Sequence, residues 1–257
     1  MDYIATRIKY LVQGVLLLTL CGCTSMMEQS TETATNEVAA RYNIQLAIAY
    51  LDQGNVSRAK LKMNKALAQG PKLPETYTAM AYFLERTGNA KAAEKEYHYA
   101  LSLDTTRGET HNNYAAYLCR MRRYKEAEQE FLKAIADPQY TTVAQAYENA
   151  GLCSLAEGAP TKAQQYFEQA LNNDPKRAES LLELAKLAYE KQNYEGANNY
   201  WRRYRVATEP SAEALLLAIK IAGALKDKDA QGSYVLQLKN NYAGSAEAEH
   251  LKTMELL

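Results

Sequence analysis

One phrase recurs along this chain at a spacing that leaves few folds open. The pattern A-x-x-x-aromatic-x-x-A-[LI] stands at Ala93-Tyr97-Ala100-Leu101, Ala127-Phe131-Ala134-Ile135 and Ala163-Phe167-Ala170-Leu171. Methionine replaces the aromatic at Ala59-Met63-Ala66-Leu67, and a looser copy runs through Ala197-Trp201-Tyr204. The leading alanines are 34, 34, 36 and 34 residues apart. A second apolar phrase precedes each copy: Leu46-Ala47-x-x-Tyr50, Met80-Ala81-x-x-Leu84, Tyr114-Ala115-x-x-Leu118, then Ala150-Gly151 and Leu184-Ala185. Turn residues separate the two phrases, at Gly54-Asn55, Gly88-Asn89, Arg122-Arg123 and Gly158-Ala159-Pro160. Pro71, Pro138, Pro175 and Pro210 follow the second phrase, where proline cannot continue a helix.

Each unit therefore reads as two short antiparallel helices. Small residues let the two backbones approach, and the aromatic fills the gap to the next pair. A single pair cannot bury its own apolar face, so neighbours must stack. Period and residue pattern together resemble the tetratricopeptide repeat. The implied fold is all-α: a right-handed α-solenoid of about six tetratricopeptide helix pairs with a C-terminal capping helix. The sixth, degraded pair is expected from Ala212 to about Tyr242, using Leu215, Ile219, Ala230, Tyr234 and Leu238, and the cap over 245–257. The two extra residues between the third and fourth units predict a distorted junction near "ADPQYTTVAQAY". Sparse Gly and Pro, few β-branched residues and abundant Ala and Tyr agree with a helical chain.

The first forty residues have a different logic. Arg7 and Lys9 precede an apolar run from Tyr10 to Leu20, broken only by Gln13, Gly14 and Thr19. A membrane-spanning helix needs about 20 apolar residues. This run is about half that and suits the core of a secretory signal. Leu20-Cys21-Gly22-Cys23 follows and resembles the bacterial lipobox, with an aliphatic residue three before Cys23 and a small one directly before it. That resemblance implies cleavage after Gly22 and a diacylglycerol and N-acyl lipid on Cys23. Thr24 and Ser25 follow in place of an inner-membrane-retaining Asp, which favours the outer membrane, facing the periplasm. Residues 1–22 are thus expected to be a signal peptide, 23–37 a lipidated polar tether, and 38–257 the repeat domain. A metal site at Cys21 and Cys23 would need further thiolates or imidazoles nearby, whereas His98, His111 and His250 are distant.

Lys and Arg number 30, as do Asp and Glu. Removing residues 1–22 takes away Arg7, Lys9 and Asp2 and leaves the chain near neutral, with no basic excess to neutralise nucleic-acid phosphates. The chain has no phosphate loop, H-E-x-x-H or G-x-S-x-G. No catalytic residues, metal ligands or cofactor other than the lipid are expected. His111 falls where its repeat needs a packing residue. Glu94-Glu96 and Glu126-Glu128-Glu130 read as outward-facing charges, solvated or paired with Lys91, Lys95 and Lys133. Cys119 and Cys153 lie on the first helices of adjacent units. A disulfide is open to them in an oxidising compartment, but two buried thiols are the expectation.

A solenoid's usual asset is its concave face, lined by the first helix of each pair. That face reads Arg41, Ile44, Ile48 and Leu51 in the first unit. Tyr82 and Glu85 follow, then Asn112 and Ala116, then Glu148, Leu152 and Leu155, and finally Leu182, Lys186 and Tyr189. Ile44, Ile48 and Leu51 hold helical spacing on a face that the neighbouring unit need not bury. They are expected to form an exposed apolar partner-binding groove with Arg41 and Tyr82, unless the N-terminal tether folds over it. The Lys and Asn pair with which some tetratricopeptide domains clamp a terminal carboxylate is replaced here by Ile44, Ile48, Thr78 and Tyr82.

A lipobox before about six such units, with "HNNYAAYLCRMRRYKEAEQEFLKAI" and "AYENAGLCSLAEGAPTKAQQYFEQAL" in the third and fourth, is similar to the PilF/PilW pilotins of type IV pilus biogenesis. The "NNY…RRYKEA" and "YENAGLC" segments carry most of that likeness, since the generic repeat does not demand them. The likeness covers essentially the whole chain and is weakest after about Glu209. It implies a non-catalytic outer-membrane lipoprotein, held in the inner leaflet by its lipid, that binds the secretin subunit, escorts it to the outer membrane and promotes its multimerisation; the protein itself is expected to be a monomer. Two other classes stay open. One is another periplasm-facing repeat lipoprotein acting as adaptor or scaffold in outer-membrane protein assembly; the other is a lipoprotein enzyme with an unrecognised site.

Overall fold

The computed structural model describes residues 34–253, and all its regular elements are helices. The expected signal peptide, Cys23 and most of the expected tether lie outside the described residues. The helices fall into two compact units that divide after Thr105. The first holds α1 (34–52), α2 (Val56–Gln69), α3 (Pro74–Arg86) and α4 (Ala90–Leu103). The second holds α5 (Gly108–Arg120), α6 (Tyr124–Ala136), α7 (Val143–Glu157), α8 (Pro160–Asn173), α9 (Ala178–Glu190), α10 (Tyr194–Ala207), α11 (Ala212–Ala224), α12 (Lys228–Asn241) and α13 (Ala246–Thr253). Among α2 to α13, the pairs α3–α4, α5–α6, α7–α8, α9–α10 and α11–α12 pack most extensively, and within each unit successive pairs stack through α2–α3, α6–α7, α8–α9 and α10–α11. Two pairs thus build the first unit, and four pairs with a terminal helix build the second. Residues 34–37, placed in the tether by composition, already belong to α1.

The repeated phrase is the core. Its positions i, i+4 and i+7 share one helical stripe. Ala59, Met63 and Ala66 are buried on α2, Ala93, Tyr97 and Ala100 on α4, Ala127, Phe131 and Ala134 on α6, Ala163, Phe167 and Ala170 on α8, and Ala197, Trp201 and Tyr204 on α10. Each buried aromatic contributes on the order of 2–3 kcal/mol by leaving water. The facing helices supply Ala47, Ala81, Ala115, Gly151 and Ala185. Gly151 shows why these stay small. A Cβ there would stand 2.6 Å from the buried Phe167 ring.

The turn inside each pair repeats just as regularly. A left-handed residue recurs at Gly54, Gly88, Arg122, Gly158, Gln192 and Lys226, with φ between 59° and 83°. Glycine fits this conformation freely, and Arg122, Gln192 and Lys226 adopt it at a cost of about 1 kcal/mol each. The following helix is capped by Asn55, Asn89, Asn193 or Asp227, whose side chains accept from the backbone N–H of Arg58, Ala92, Gly196 and Ala230. Such caps are worth about 1 kcal/mol each. Arg123 and Ala159 give α6 and α8 no side-chain cap.

The sixth pair is present but enlarged at its small positions. In phase, Ile219 stands where Ala185 does and Gln231 where Ala197 does. Gln231 spans the wider gap, its Nε2 donating to the Ile219 carbonyl at 3.4 Å. Val235 holds the aromatic position, and neighbouring Tyr234 packs edge-on against Trp201 at 5.4 Å. Ala230 and Tyr234 are therefore one residue out of register with the phrase assigned to them from sequence. The cap exists as α13, with Leu251 and Ala248 buried in the same core, and its last four residues lie outside the described residues. The third–fourth junction is longer, as its spacing predicts: 137–142 separates α6 from α7, whereas 104–107 and 174–177 separate the neighbouring pairs. The extra length folds Tyr140 over the start of α5, so close that a Cβ on Gly108 would lie 2.6 Å from it.

Candidate functional site

In the first unit, α1 packs by Ile44, Ala47 and Leu51 into one buried cluster with Ala59, Met63 and Ala66 of α2 and Ala79 and Phe83 of α3. This corrects the expected groove. Ile44 is 9% exposed and Leu51 6%, so neither belongs to an open apolar strip. The stripe at i, i+3 and i+7 on α1 is the one α2 and α3 need for their own cores, and a periodic apolar stripe cannot serve as core and free surface at once. Arg41 is exposed, and its Nε donates to Glu75 Oε1 on α3 at 2.8 Å. Ile48 and Tyr82 are half-buried at the edge of the cluster. Arg86 lies over the Tyr82 ring, donates to its hydroxyl at 2.6 Å and reaches Asp52 at 3.6 Å. What reaches solvent is a polar-edged patch of Arg41, Ile48, Tyr82 and Arg86, with Ile44 and Leu51 as its floor.

The inner helices of the second unit use their polar residues between repeats. Asn112 is buried, and its Oδ1 accepts from Asn149 Nδ2 at 3.0 Å. Glu148 on α7 is buried as well. Its carboxylate receives the Arg177 guanidinium, the Ser180 N–H at 3.1 Å and the Ser180 hydroxyl at 2.8 Å, and so ties α7 to the start of α9. The hydrogen bond to Glu148 raises the Arg177 pKa above its usual value, against the opposing effect of burial. Glu148 was expected on the partner-facing side. A carboxylate among Ala146, Ala150 and Gly151 signals instead a buried acid that needs a fixed cation, supplied 29 residues later. Leu182 is buried too, whereas Leu152 remains 36% exposed, and Leu155, Lys186 and Tyr189 are half-buried. Lys186 bridges Glu183 at 2.6 Å and Glu213 at 2.7 Å, which raises its pKa although burial works the other way.

Two further expectations meet the structure here. His111 is a packed histidine, 5% exposed, with Nδ1 2.6 Å from Glu130 Oε2. Glu130 is consequently not an outward charge. Burial would raise its pKa, but the hydrogen bonds from His111 and Lys133 outweigh burial and hold the carboxyl below its ordinary range. Glu128 likewise turns to the next pair, accepting from Lys162 at 3.0 Å and the Tyr166 hydroxyl at 2.7 Å. Cys119 and Cys153 are not two free thiols but a disulfide between α5 and α7, with Cα atoms 5.8 Å apart. Their separation is 34 residues across a junction whose repeat is 36. That two-residue stagger aims the two side chains at each other across the helix contact. Among the described residues, no group of three or more His, Cys, Asp or Glu is placed to hold a metal ion, and no helix is long and apolar enough to cross a membrane.

The same arrangement is found in known proteins. The Tetratricopeptide repeat family profile matches residues 154–205, which span α8, α9 and most of α10. The type IV pilus assembly protein PilF of Pseudomonas aeruginosa is 34% identical over 241 residues, 93% of this chain and 95% of that one. The chain belongs to the PilF/PilW family of tetratricopeptide-repeat proteins. The solved structure of P. aeruginosa PilF superposes with a TM-score of 0.73, covering 86% of this chain and 99% of PilF. That of PilW, a widely conserved type IV pilus biogenesis factor, gives 0.70 at 30% identity, covering 82% and 97%. The PilF/PilW likeness thus spans both compact units and extends well beyond the family profile's own match.

Proposed function

We propose that this protein acts in type IV pilus biogenesis as a pilotin: a non-catalytic lipoprotein, anchored through Cys23 to the periplasmic face of the outer membrane, that binds the pilus secretin and promotes its targeting and multimerisation. The observation that carries the reading is the likeness to PilF across 93% of the chain, which a shared repeat alone does not require. The lipobox at Leu20–Cys23 supplies the anchor in this reading, and the solenoid supplies the grip. Stacked helix pairs present long surfaces suited to extended protein segments. The secretin contact is placed on the Arg41–Ile48–Tyr82 patch of the first unit, with Ile44 and Leu51 supporting it from beneath.

A deletion strain tests the role. It should lose pili and accumulate unassembled secretin; multimers that form and localise normally would overturn the proposal. A Cys23→Ala chain should leave the outer-membrane fraction, and retention there would refute the anchor. Ile48→Asp should weaken secretin pull-down while the circular dichroism keeps its helical signal. Unchanged capture would move the contact elsewhere.

A further inference from the structure

The chain carries equal numbers of cationic and anionic side chains, and much of the second unit pairs them. Arg123 meets Glu126, Lys162 meets Glu128 and Glu157, Arg177 meets Glu148, and Lys186 meets Glu183 and Glu213. Other cations there stand singly on the surface, but one place gathers several. A cleft of about 610 Å³ lies between the α8–α9 turn and the last two turns of α10. Lys176 lines it from the turn, and Arg202, Arg203 and Arg205 from the helix, with Val206 at the rim. All four cations are exposed, and among the described residues none has a carboxylate within salt-bridge distance. Two of them have aromatic partners: Arg203 lies over Tyr200, and Arg205 lies over Tyr234 and donates to its hydroxyl at 3.1 Å. The nearest acid in the turn, Asp174, is engaged with the Lys176 backbone N–H at 3.1 Å.

Complementing the helix dipole accounts for a cation in the last turn of a helix. It accounts for Arg205 and not for Arg202 and Arg203, which sit a turn earlier. These two join Asn199 and Val206 at i, i+3, i+4 and i+7, one continuous face turned into the cleft. Stacking of the Arg203 and Arg205 guanidinium groups on tyrosine rings fixes them in advance of a ligand, which lowers the ordering cost of binding. Guanidinium groups hold carboxylates by two parallel hydrogen bonds.

We propose that this cleft is a second protein-binding site that takes an acidic peptide segment of a partner, its carboxylates on Arg202, Arg203 and Lys176 and an apolar side chain against Val206. Val206 is 83% exposed, an open apolar contact beside the positive charges. A peptide fits better than an anionic bilayer because the cations and Val206 gather around one cleft of about 610 Å³, the scale of a few side chains rather than of an extended surface. The site lies on the second helix of its pair, in the second unit, and so does not depend on the contact placed on the first unit.

The test uses the full chain with Cys23→Ser, so that lipid does not bring it to membranes, and a panel of fluorescein-labelled peptides alternating Asp or Glu with Leu. Amide versions of the same peptides, with Asn and Gln, serve as the comparison. Anisotropy should report binding of acidic peptides only, weakened about tenfold by Arg202→Gln with Arg203→Gln. Binding should fade as ionic strength approaches about 1 M, where the screening length is about 3 Å. Both arginines are exposed, so the variant should keep the parental melting curve. Equal affinity for acid and amide peptides, no binding by any of the panel, or an unaffected double variant would each overturn the proposal. So would flotation with phosphatidylglycerol vesicles that depends on Arg202 and Arg203 while the peptides fail to bind, which would identify a membrane surface instead.

Discussion

Replacing Cys119 and Cys153 together by alanine should lower the stability of the second unit by an amount set by where the bridge sits. The disulfide closes a loop spanning 34 residues. In the chain-entropy account, a loop of that length constrains the unfolded chain by about 3.8 kcal/mol at 25 °C. A stacked array can lose neighbouring pairs without opening all of it, so part of that constraint is felt only when α5 to α7 unfold. The expected loss is about 2–4 kcal/mol, against which the lost sulfur packing is small. With a urea dependence of about 2 kcal/mol per molar, the unfolding midpoint should fall by about 1–2 M. Urea denaturation followed by circular dichroism reads this directly. The parent chain with a phosphine reductant should reproduce the variant, because reduction breaks the bridge and leaves the side chains in place. Amides of α5 and α7 should then exchange faster, while those of α11 and α12 are little changed. A parent whose midpoint ignores reductant and matches the variant would refute the reasoning, and with it the pairing of these cysteines.

Gly151→Ala would add helix propensity of about 1 kcal/mol but drive a Cβ to 2.6 Å from the immobile Phe167 ring; overpacking should win and the melting temperature should fall, by about 1–2 kcal/mol of stability. Glu148→Ala leaves the Arg177 guanidinium and the Ser180 donors without their shared acceptor, and should cost about 3–5 kcal/mol in urea unfolding while helices of the first unit keep their protection. The Glu130 carboxyl titrates below its ordinary 4.5 in the folded chain. Its contribution is therefore complete above that pH and is lost as the pH falls through the depressed folded value. Glu130→Gln should be less stable at neutral pH by about 1–3 kcal/mol and should show a shallower acid limb in thermal melts run from pH 6 to pH 3.

The helix pairs were legible because their signals are local and repeated. An alanine–aromatic–alanine stripe (with Met63 for the aromatic in the first copy) and a turn recur, a proline follows four of the five copies, and copies in phase reinforce one another. The α1 stripe shows where that kind of reading stops. Ile44, Ile48 and Leu51 have the same spacing whether they face a neighbour or solvent, and only packing against Met63 and Phe83 tells the two apart. Glu130 and Glu148 were misplaced for the same reason. On a short helix the direction of a carboxylate depends on which residue of a packed neighbour stands opposite, and that residue lies 19 positions before Glu130 and 29 after Glu148. In the sixth pair, Ala230 and Tyr234 resembled the phrase well enough to hide Gln231 and Val235, the residues actually in phase.

The sequence alone determined the helical repeat and, through the first five pairs, its phase, because copies of one short phrase and its turn chemistry reinforce one another at a 34-residue period. It also carried the lipobox-like segment at Leu20–Cys23, a linear signal on which the proposed anchor rests. The tertiary structure decided which periodic residues became core and which stayed open, that Cys119 meets Cys153, and that Arg202 and Arg203 share a cleft with Lys176. Those are questions of what lies across an interface, and burial, pairing and charge clustering are properties of distances between segments rather than of order along one.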